Sequence, residues 1–205
     1  HGYSVYIEFG EKKILIDTGA SDNFLKNAER LGINISEIDL AVLSHGHRDH
    51  TGGLKHLISQ THCPIYLSEN VFGKKFHSCR GDKGLRNIGT DLELLEKYSN
   101  RFRIVSENCW ILPNIALVGN KNFKEGENTV TLTVTSSDGE NKYVFCSIGT
   151  SPSGLARVLE FMGVETKYLP ISKLNWMPNV SFWRNYSNKF QNYQKWTLTQ
   201  RLNQC

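Results

Sequence analysis

Apolar and polar positions near the start of the chain alternate as expected for a β-hairpin followed by a helix. Residues 5–9 and 13–16 predict two strands around a turn at 10–12. Ser21 is the expected N-cap of a helix that stops at Gly32. Four apolar residues would share one face of that helix: Phe24, Leu25, Ala28 and Leu31.

Further along, short apolar runs alternate with helical segments. We expect a buried strand at 39–44, a helix opening at Leu54, a strand at 64–67 and a short helix capped by Asp91. The Gly-, Lys- and Arg-rich residues 73–90 predict a loop or flap over one face. Later candidates are apolar runs at 102–105, 109–112 and 115–118, a hairpin of 130–135 and 142–146, a helix at 153–162 and a strand at 167–169. This order of elements predicts an α/β layered fold.

Charge and composition divide the chain at about residue 170. Residues 1–170 carry 19 of the 24 basic residues and all 20 acidic ones, so this part is nearly neutral. The remaining five basic residues are Lys173, Arg184, Lys189, Lys195 and Arg201. Ten Asn or Gln residues and three of the four Trp also lie after residue 170, and periodicity there is too poor to predict an element. We expect a domain at 1–170 and an atypical tail at 171–205.

Two explanations of this tail stay open. A basic segment with exposed aromatic rings can bind nucleic acid through charge and stacking. The sequence contains no accompanying groove-forming fold, which favours a poorly ordered or aberrant terminus instead. We therefore do not expect nucleic acid to be a partner.

Cysteine usage indicates a reducing compartment. The number of cysteines is odd and none form a C-x-x-C pair: Cys63, Cys79, Cys109, Cys146 and Cys205. That pattern is typical of reduced thiols, and we expect a cytoplasmic protein. No apolar stretch is long enough to span a bilayer, so no membrane partner is expected. The chain begins at His1 without Met or a signal-peptide pattern, and we expect a fragment or a trimmed product.

The strongest chemical signal is the string His45-Gly46-His47-Arg48-Asp49-His50, which follows an apolar run and precedes two glycines. Imidazole nitrogen and carboxylate oxygen are ligands that Zn²⁺ prefers, and they also suit Fe or Mn. His45 and His47 would share one side of an extended segment, and Asp49 and His50 in the following turn would face a second ion. The alternative is a solvated His-rich turn. The strand before the string and the glycines after it favour the metal site.

Two segments resemble the metallo-β-lactamase-fold hydrolases: Ile14-Leu15-Ile16-Asp17-Thr18-Gly19, and the phrase L-S-H-G-H-R-D-H-T-G-G-L at 43–54. With the opening His1-Gly2-Tyr3-Ser4, that phrase is similar to the branch of dihydropterin-ribofuranosylaminobenzene phosphate synthase-like proteins. The likeness is strong over residues 1–70 and traceable to about residue 170.

The resemblance implies a four-layer αββα sandwich, incomplete at its C-terminus, with one or two divalent ions at an edge of the two sheets. Zn is the expected ion, with Fe or Mn as alternatives. His45 and His47 would hold the first ion, and Asp49 and His50 the second, with Asp49 also acting as the catalytic residue that orients the nucleophile. Asp17 would brace the metal loop from beneath. Without the resemblance, Asp17 is equally well explained as a carboxylate that ends a strand.

The last third of the chain departs from the branch pattern. Pro152 stands where relatives have a third histidine, Lys173 stands where they have a later ligand, and a final G-H-C-T-G motif is absent. Each ion would therefore lack at least one protein ligand. His1 can be explained as a residue near the site or as a frayed terminus. An altered or frameshifted 3′ end of the gene would account for both the losses and the tail.

The implied function is hydrolysis of an ester or phosphoester by metal-bound hydroxide. A catalytically impaired member that binds a metal or a small anionic ligand is the first alternative. A redox-active iron protein on the same fold and a nucleic-acid-binding tail are the others. The expected substrate is a small anionic molecule, attracted by basic residues between Lys74 and Arg86, although that stretch is equally well explained as a solvated loop.

Overall fold

The computed structural model describes residues 2–72, 76–79, 84–119, 130–137, 142–146, 161 and 198–199. Several predictions concern residues outside these ranges. They are the helix at 153–162 apart from its residue 161, the strand at 167–169, most of the tail, and the residues His1, Lys74, Lys75, Arg80, Lys83, Pro152 and Lys173.

Strands outnumber helices in the described part of the chain. The strands are β1 (Val5–Phe9), β2 (Lys12–Ile16), β3 (Leu40–Leu43), β4 (Ile65–Ser68), β5 (His77–Cys79), β6 (Leu85–Asn87), β7 (Phe102–Val105), β8 (Cys109–Leu112), β9 (Ile115–Gly119), β10 (Val130–Ser137), β11 (Lys142–Cys146) and β12 (Leu198–Thr199). The helices are α1 (Asn23–Arg30), α2 (Arg48–Thr51), α3 (Leu54–Gln60) and α4 (Leu92–Lys97), with 3-10 turns at Ile35–Glu37 and Ser99–Arg101.

Two larger sheets and one short hairpin contain these strands. The first sheet has the order β12-β1-β2-β3-β4-β7. Strand β1 is antiparallel to both β12 and β2, and the strands from β2 to β7 are parallel. The second sheet, β11-β10-β9-β8, is antiparallel throughout. Strands β5 and β6 form an antiparallel pair that is separate from the two larger sheets in the described part of the chain.

The first sheet is buried on both faces, which is why β3 is a continuous apolar run instead of an alternating one. Ala41 and Leu43 face the helices, in a cluster with Phe24 of α1. Leu40 and Val42 face the second sheet. On the far side of the second sheet, the half-exposed Trp110 contacts the ring of Phe161, with centroids 5.6 Å apart. The described residues thus form helix, sheet and sheet layers, and the α/β class is confirmed.

Most predicted elements are confirmed, and the differences lie at their ends. Helix α1 begins after Asp22, not Ser21, and Ser21 Oγ accepts a hydrogen bond of 3.3 Å from the Asn23 amide. Gly32 ends it as expected, in the left-handed conformation with φ +70°, where the Gly32 and Ile33 amides reach carbonyls of the last turn.

Two short elements were not predicted. The stretch at 73–90 contains the hairpin of β5 and β6, and the tail contributes β12 beside β1. Elements of two or three residues carry too little periodicity to be recognised from the sequence. Among the described residues, no helix is both long and apolar enough to cross a membrane.

Replacing Leu43 by Ala tests the layered core. Leu43 is fully buried at the end of β3, so we expect the free energy of unfolding to fall by about 2–5 kcal/mol in urea titrations. Leu85→Ala is the matched control, because this leucine is 68% exposed and its loss should change stability by less than about 0.5 kcal/mol. Equal effects of the two substitutions would contradict the described packing.

Candidate metal centre

The parallel pairing of β2 and β3 places two polar residues at the same edge of the first sheet. Ile16 pairs with Val42, and the Asp17 amide donates a 2.8 Å hydrogen bond to the Val42 carbonyl. Asp17 and Ser44 therefore leave their strands side by side. The His string follows Ser44 directly and turns into α2, which carries Asp49 and His50.

Asp17 lies beneath the string and is almost completely buried. Its Oδ1 accepts a hydrogen bond of 2.7 Å from the Ser44 amide, and its Oδ2 accepts one of 2.7 Å from the Ser44 hydroxyl. His50 Nδ1 is also 2.7 Å from Oδ2. Three partners on one buried carboxylate favour the bracing role over that of an ordinary residue ending a strand.

The imidazoles of His45, His47 and His50 form one cluster. Ring centroids are 4.6 Å apart for His45 and His47, and 4.1 Å apart for His45 and His50. His45 Nε2 lies 3.1 Å from His47 Nδ1. Two nitrogens that bind one tetrahedral Zn²⁺ at about 2.0–2.1 Å are separated by about 3.3 Å, so this pair is close to the spacing an ion requires.

Asp49 and His50 form a second pair of donors. His50 Nε2 is 3.8 Å from Asp49 Oδ2, and the Asp49 side chain is 52% exposed whereas that of His50 is 13% exposed. Because Nδ1 of His50 contacts Asp17, Nε2 is the nitrogen left for a ligand.

The donors fit divalent ions as two pairs of ligands. In the described ranges, no group of three or more His, Cys, Asp or Glu side chains is arranged to hold an ion. Both pairs nevertheless have the donor types that Zn²⁺ uses, and the first pair also has a separation close to the one required. The second pair, at 3.8 Å, is wider. The predicted positions of further ligands, Pro152 and Lys173, lie outside the described residues.

Burial and neighbouring charges set the protonation of the cluster. Burial, with smaller electrostatic contributions from the neighbouring imidazoles, lowers the pKa of His45 to about 3. Burial would also lower the pKa of His50, but the hydrogen bond and the negative charge of Asp17 outweigh it, so that pKa is raised. His45 is therefore neutral near pH 7, the form that binds a metal.

The described residues 76–79 and 84–90, which we call the flap segment, contact the outer side of the string. The ring of Phe76 meets His47 edge-on at 5.4 Å, and a Cβ at Gly46 would overlap that ring. Thr90 donates to the Gly46 carbonyl from its amide at 2.9 Å and from its hydroxyl at 3.0 Å. The sequence predicts a loop or flap here, but it does not predict that Phe76 and Thr90 contact the string. A single aromatic residue and a single threonine in a loop have no pattern that indicates their contacts.

Residues 1–101 match a sequence profile that is described as the Metallo-beta-lactamase superfamily. This segment carries the buried Asp17 and all four donors of the two pairs. Over these residues the chain is similar to that superfamily. This match and the helix, sheet and sheet layers confirm the expected α/β fold class for the part of the chain that carries the site.

Two curated relatives match this part of the chain. The 7,8-dihydropterin-6-methyl-4-(beta-D-ribofuranosyl)-aminobenzene-5'-phosphate synthase of Methanocaldococcus jannaschii is 32% identical over 127 residues, which are 58% of this chain and 43% of the relative. A UPF0173 metal-dependent hydrolase of Staphylococcus aureus is 31% identical over 94 residues, 43% of this chain and 38% of the relative. This chain thus spans less than half the length of either relative.

Some solved metallo-beta-lactamase structures match the chain in part. One is MEM-A1, a subclass B3 metallo-beta-lactamase from a soil metagenome library. It has a TM-score of 0.46 and 19% identity, and the match covers 79% of this chain and 68% of that one.

Asp17→Asn tests the brace. Asn tolerates the left-handed conformation of this residue, φ 57°, so the backbone should persist. Its amide NH₂ would face His50 Nδ1, which must then accept, and the His50 proton would move to Nε2 and block the second pair. We expect zinc affinity, measured by competition with a chromophoric chelator, to fall by about 10- to 100-fold.

Asp39→Asn is the control for this substitution. Asp39 also accepts a backbone hydrogen bond, from the Lys13 amide at 2.7 Å, but it belongs to the opposite end of the strands and makes no contact with the cluster. Its replacement should leave zinc affinity unchanged. Equal affinity of the Asp17→Asn variant and the unsubstituted protein would refute the bracing role.

Proposed function

We propose that this protein is a metal-dependent hydrolase that acts on an ester or phosphoester. The observation that carries the proposal is the pair of facing imidazole nitrogens of His45 and His47, 3.1 Å apart, beside the second pair formed by His50 and Asp49. The match of residues 1–101 to the superfamily profile supports it. So does the likeness to a protein named a metal-dependent hydrolase.

Each donor has a distinct role in this proposal. His45 and His47 would hold one divalent ion, and His50 and Asp49 the other. When bound, such ions lower the pKa of water and neutralise negative charge that develops during hydrolysis. The Asp49 side chain lies beside the imidazole cluster and is half-exposed. Its second carboxylate oxygen can therefore accept a hydrogen bond from the attacking water and orient it.

The buried and exposed sides of the cluster suit these roles. His45 is half-buried and neutral, which keeps its nitrogen available as a ligand, whereas Asp49 and Arg48 are exposed where a substrate would approach. Arg48 and Arg86 are both exposed, and the Arg48 amide donates to the Ile88 carbonyl two residues from Arg86. These two cations support a small anionic substrate.

The cysteines support a reducing, cytoplasmic location as part of the same proposal. Cys63, Cys79 and Cys109 are free thiols.

A second candidate function is binding of a metal or a small anionic ligand without turnover. It is favoured by the two ligands per ion found in the described part of the chain, since catalytic zinc sites ordinarily have three protein ligands and a water. Pro152 and Lys173 at the expected positions of further ligands favour it too.

His47→Ala tests the proposed function. Loss of one of the facing nitrogens should reduce zinc per chain, measured by elemental analysis, and should lower hydrolysis of a phosphodiester and a thioester by at least 100-fold, since the ions supply the nucleophile. His62→Ala is the control, because His62 is exposed on the connection between α3 and β4 and belongs to neither pair.

The outcomes separate the two candidates. About two ions per chain with turnover that depends on His47 supports the hydrolase. Metal bound through His47 without turnover of either ester supports the second candidate. A protein that retains its zinc after His47→Ala contradicts both.

A further inference from the structure

Ser44 lies at the centre of the polar network under the cluster and is completely buried. Its Oγ is 2.7 Å from Asp17 Oδ2, 3.0 Å from His45 Nδ1 and 3.4 Å from His50 Nδ1. The hydroxyl thus lies between the bracing carboxylate and a member of the first donor pair. The proposed function gives Ser44 no role.

The hydrogen-bonding capacity of these groups assigns the protons. A serine hydroxyl has one proton to donate and lone pairs to accept, whereas an ionised carboxylate accepts only. The shortest contact of Ser44 Oγ is to Asp17, so its proton points to Oδ2. Its contact with His45 Nδ1 then requires the imidazole to be the donor.

We propose that the Ser44 hydroxyl is a positioning residue that holds the His45 proton on Nδ1 and thereby leaves Nε2 as the metal-binding nitrogen. Nε2 is the atom that faces His47 Nδ1 at 3.1 Å. In the opposite tautomer, Nε2–H would donate to His47 Nδ1, and a bare Nδ1 would face the Ser44 oxygen with no proton between them. Only the first tautomer places a proton in the contact between His45 and Ser44 and leaves a lone pair on Nε2 for an ion.

The same carboxylate acts on the second pair. His50 Nδ1 contacts Asp17 Oδ2 at 2.7 Å and leaves His50 Nε2 for a ligand. Asp17 therefore orients His50 directly and orients His45 through Ser44. One buried carboxylate and one buried hydroxyl select the ligand nitrogen in both pairs.

The test is nitrogen NMR of the imidazoles in the full-length, metal-free protein, together with zinc affinity. In the unsubstituted protein, the His45 resonances should show a protonated Nδ1 and a bare Nε2. In Ser44→Ala, Nδ1–H loses its acceptor, so we expect a mixture of tautomers and a zinc affinity lower by about 10- to 100-fold. Ser44→Thr retains the hydroxyl and should restore the Nδ1–H tautomer.

Ser4→Ala is the matched control. Ser4 is equally buried and also donates to Asp17, but to its backbone carbonyl at 2.8 Å, and it contacts no imidazole. Its replacement should leave the His45 tautomer and zinc affinity unchanged, so that any general loss of packing is distinguished from the loss of the Ser44 hydroxyl.

A bare Nδ1 on His45 in the unsubstituted protein would overturn the proposal, and this measurement stands even if Ser44→Ala does not fold. A retained Nδ1–H tautomer with unchanged zinc affinity in Ser44→Ala would also overturn it. The ligand role of Nε2 rests on the proposed function, but the tautomer is measured without metal or substrate. A protein that shows Nδ1–H and binds no zinc would therefore refute the proposed function and leave the proton assignment intact.

Discussion

The buried carboxylate of Asp17 holds together the edge of the sheet at which every candidate functional group lies. Both of its oxygens accept hydrogen bonds from the segment that follows β3, and its own backbone is tied to β3 and to Ser4. A buried carboxylate that loses its partners costs several kcal/mol. The positions of Ser44 and His50 are therefore coupled to the pairing of β2 with β3, whose ends carry Asp17 and Ser44.

The string is held from two sides by chemically different contacts. Beneath it are the polar groups of Asp17 and Ser44, and outside it are the Phe76 ring and the backbone of the flap segment. His47 lies where these sides meet. This arrangement explains why His45 is half-buried and neutral whereas Asp49 extends into solvent, although the two residues are four positions apart.

Glycine at two positions permits these approaches. Gly46 leaves room for the Phe76 ring, and a side chain at Gly53 would overlap the Thr18 carbonyl, so the start of α3 can pack against the loop after β2. The segment at 43–54 therefore contains two kinds of residue. Some can bind an ion, and the glycines leave space for neighbouring groups to pack closely.

Much of the layered part was predictable because its signals are local. The apolar run of β3, the helix stop at Gly32 and the N-cap at Asp91, whose side chain accepts from the Leu94 amide, follow from periodicity and capping rules. The hairpin of β5 and β6 is not predicted because its residues are mostly polar and all but Ser78 are exposed, so that no buried apolar face marks them. The four candidate donors are predicted from their spacing in the sequence, and the structure places them close together.

Local sequence was sufficient to identify which residues carry nitrogen and oxygen donors, because strand alternation and the following turn bring them together within six positions. It could not establish which nitrogen of each imidazole is free, or that Phe76 and Thr90 border the string. Those features depend on hydrogen bonds between residues far apart in the sequence. The separation is 27 residues between Asp17 and Ser44, 33 between Asp17 and His50, and 44 between Gly46 and Thr90. Hydrogen bonds between such distant residues form only when the strands pair and the flap segment packs against the string.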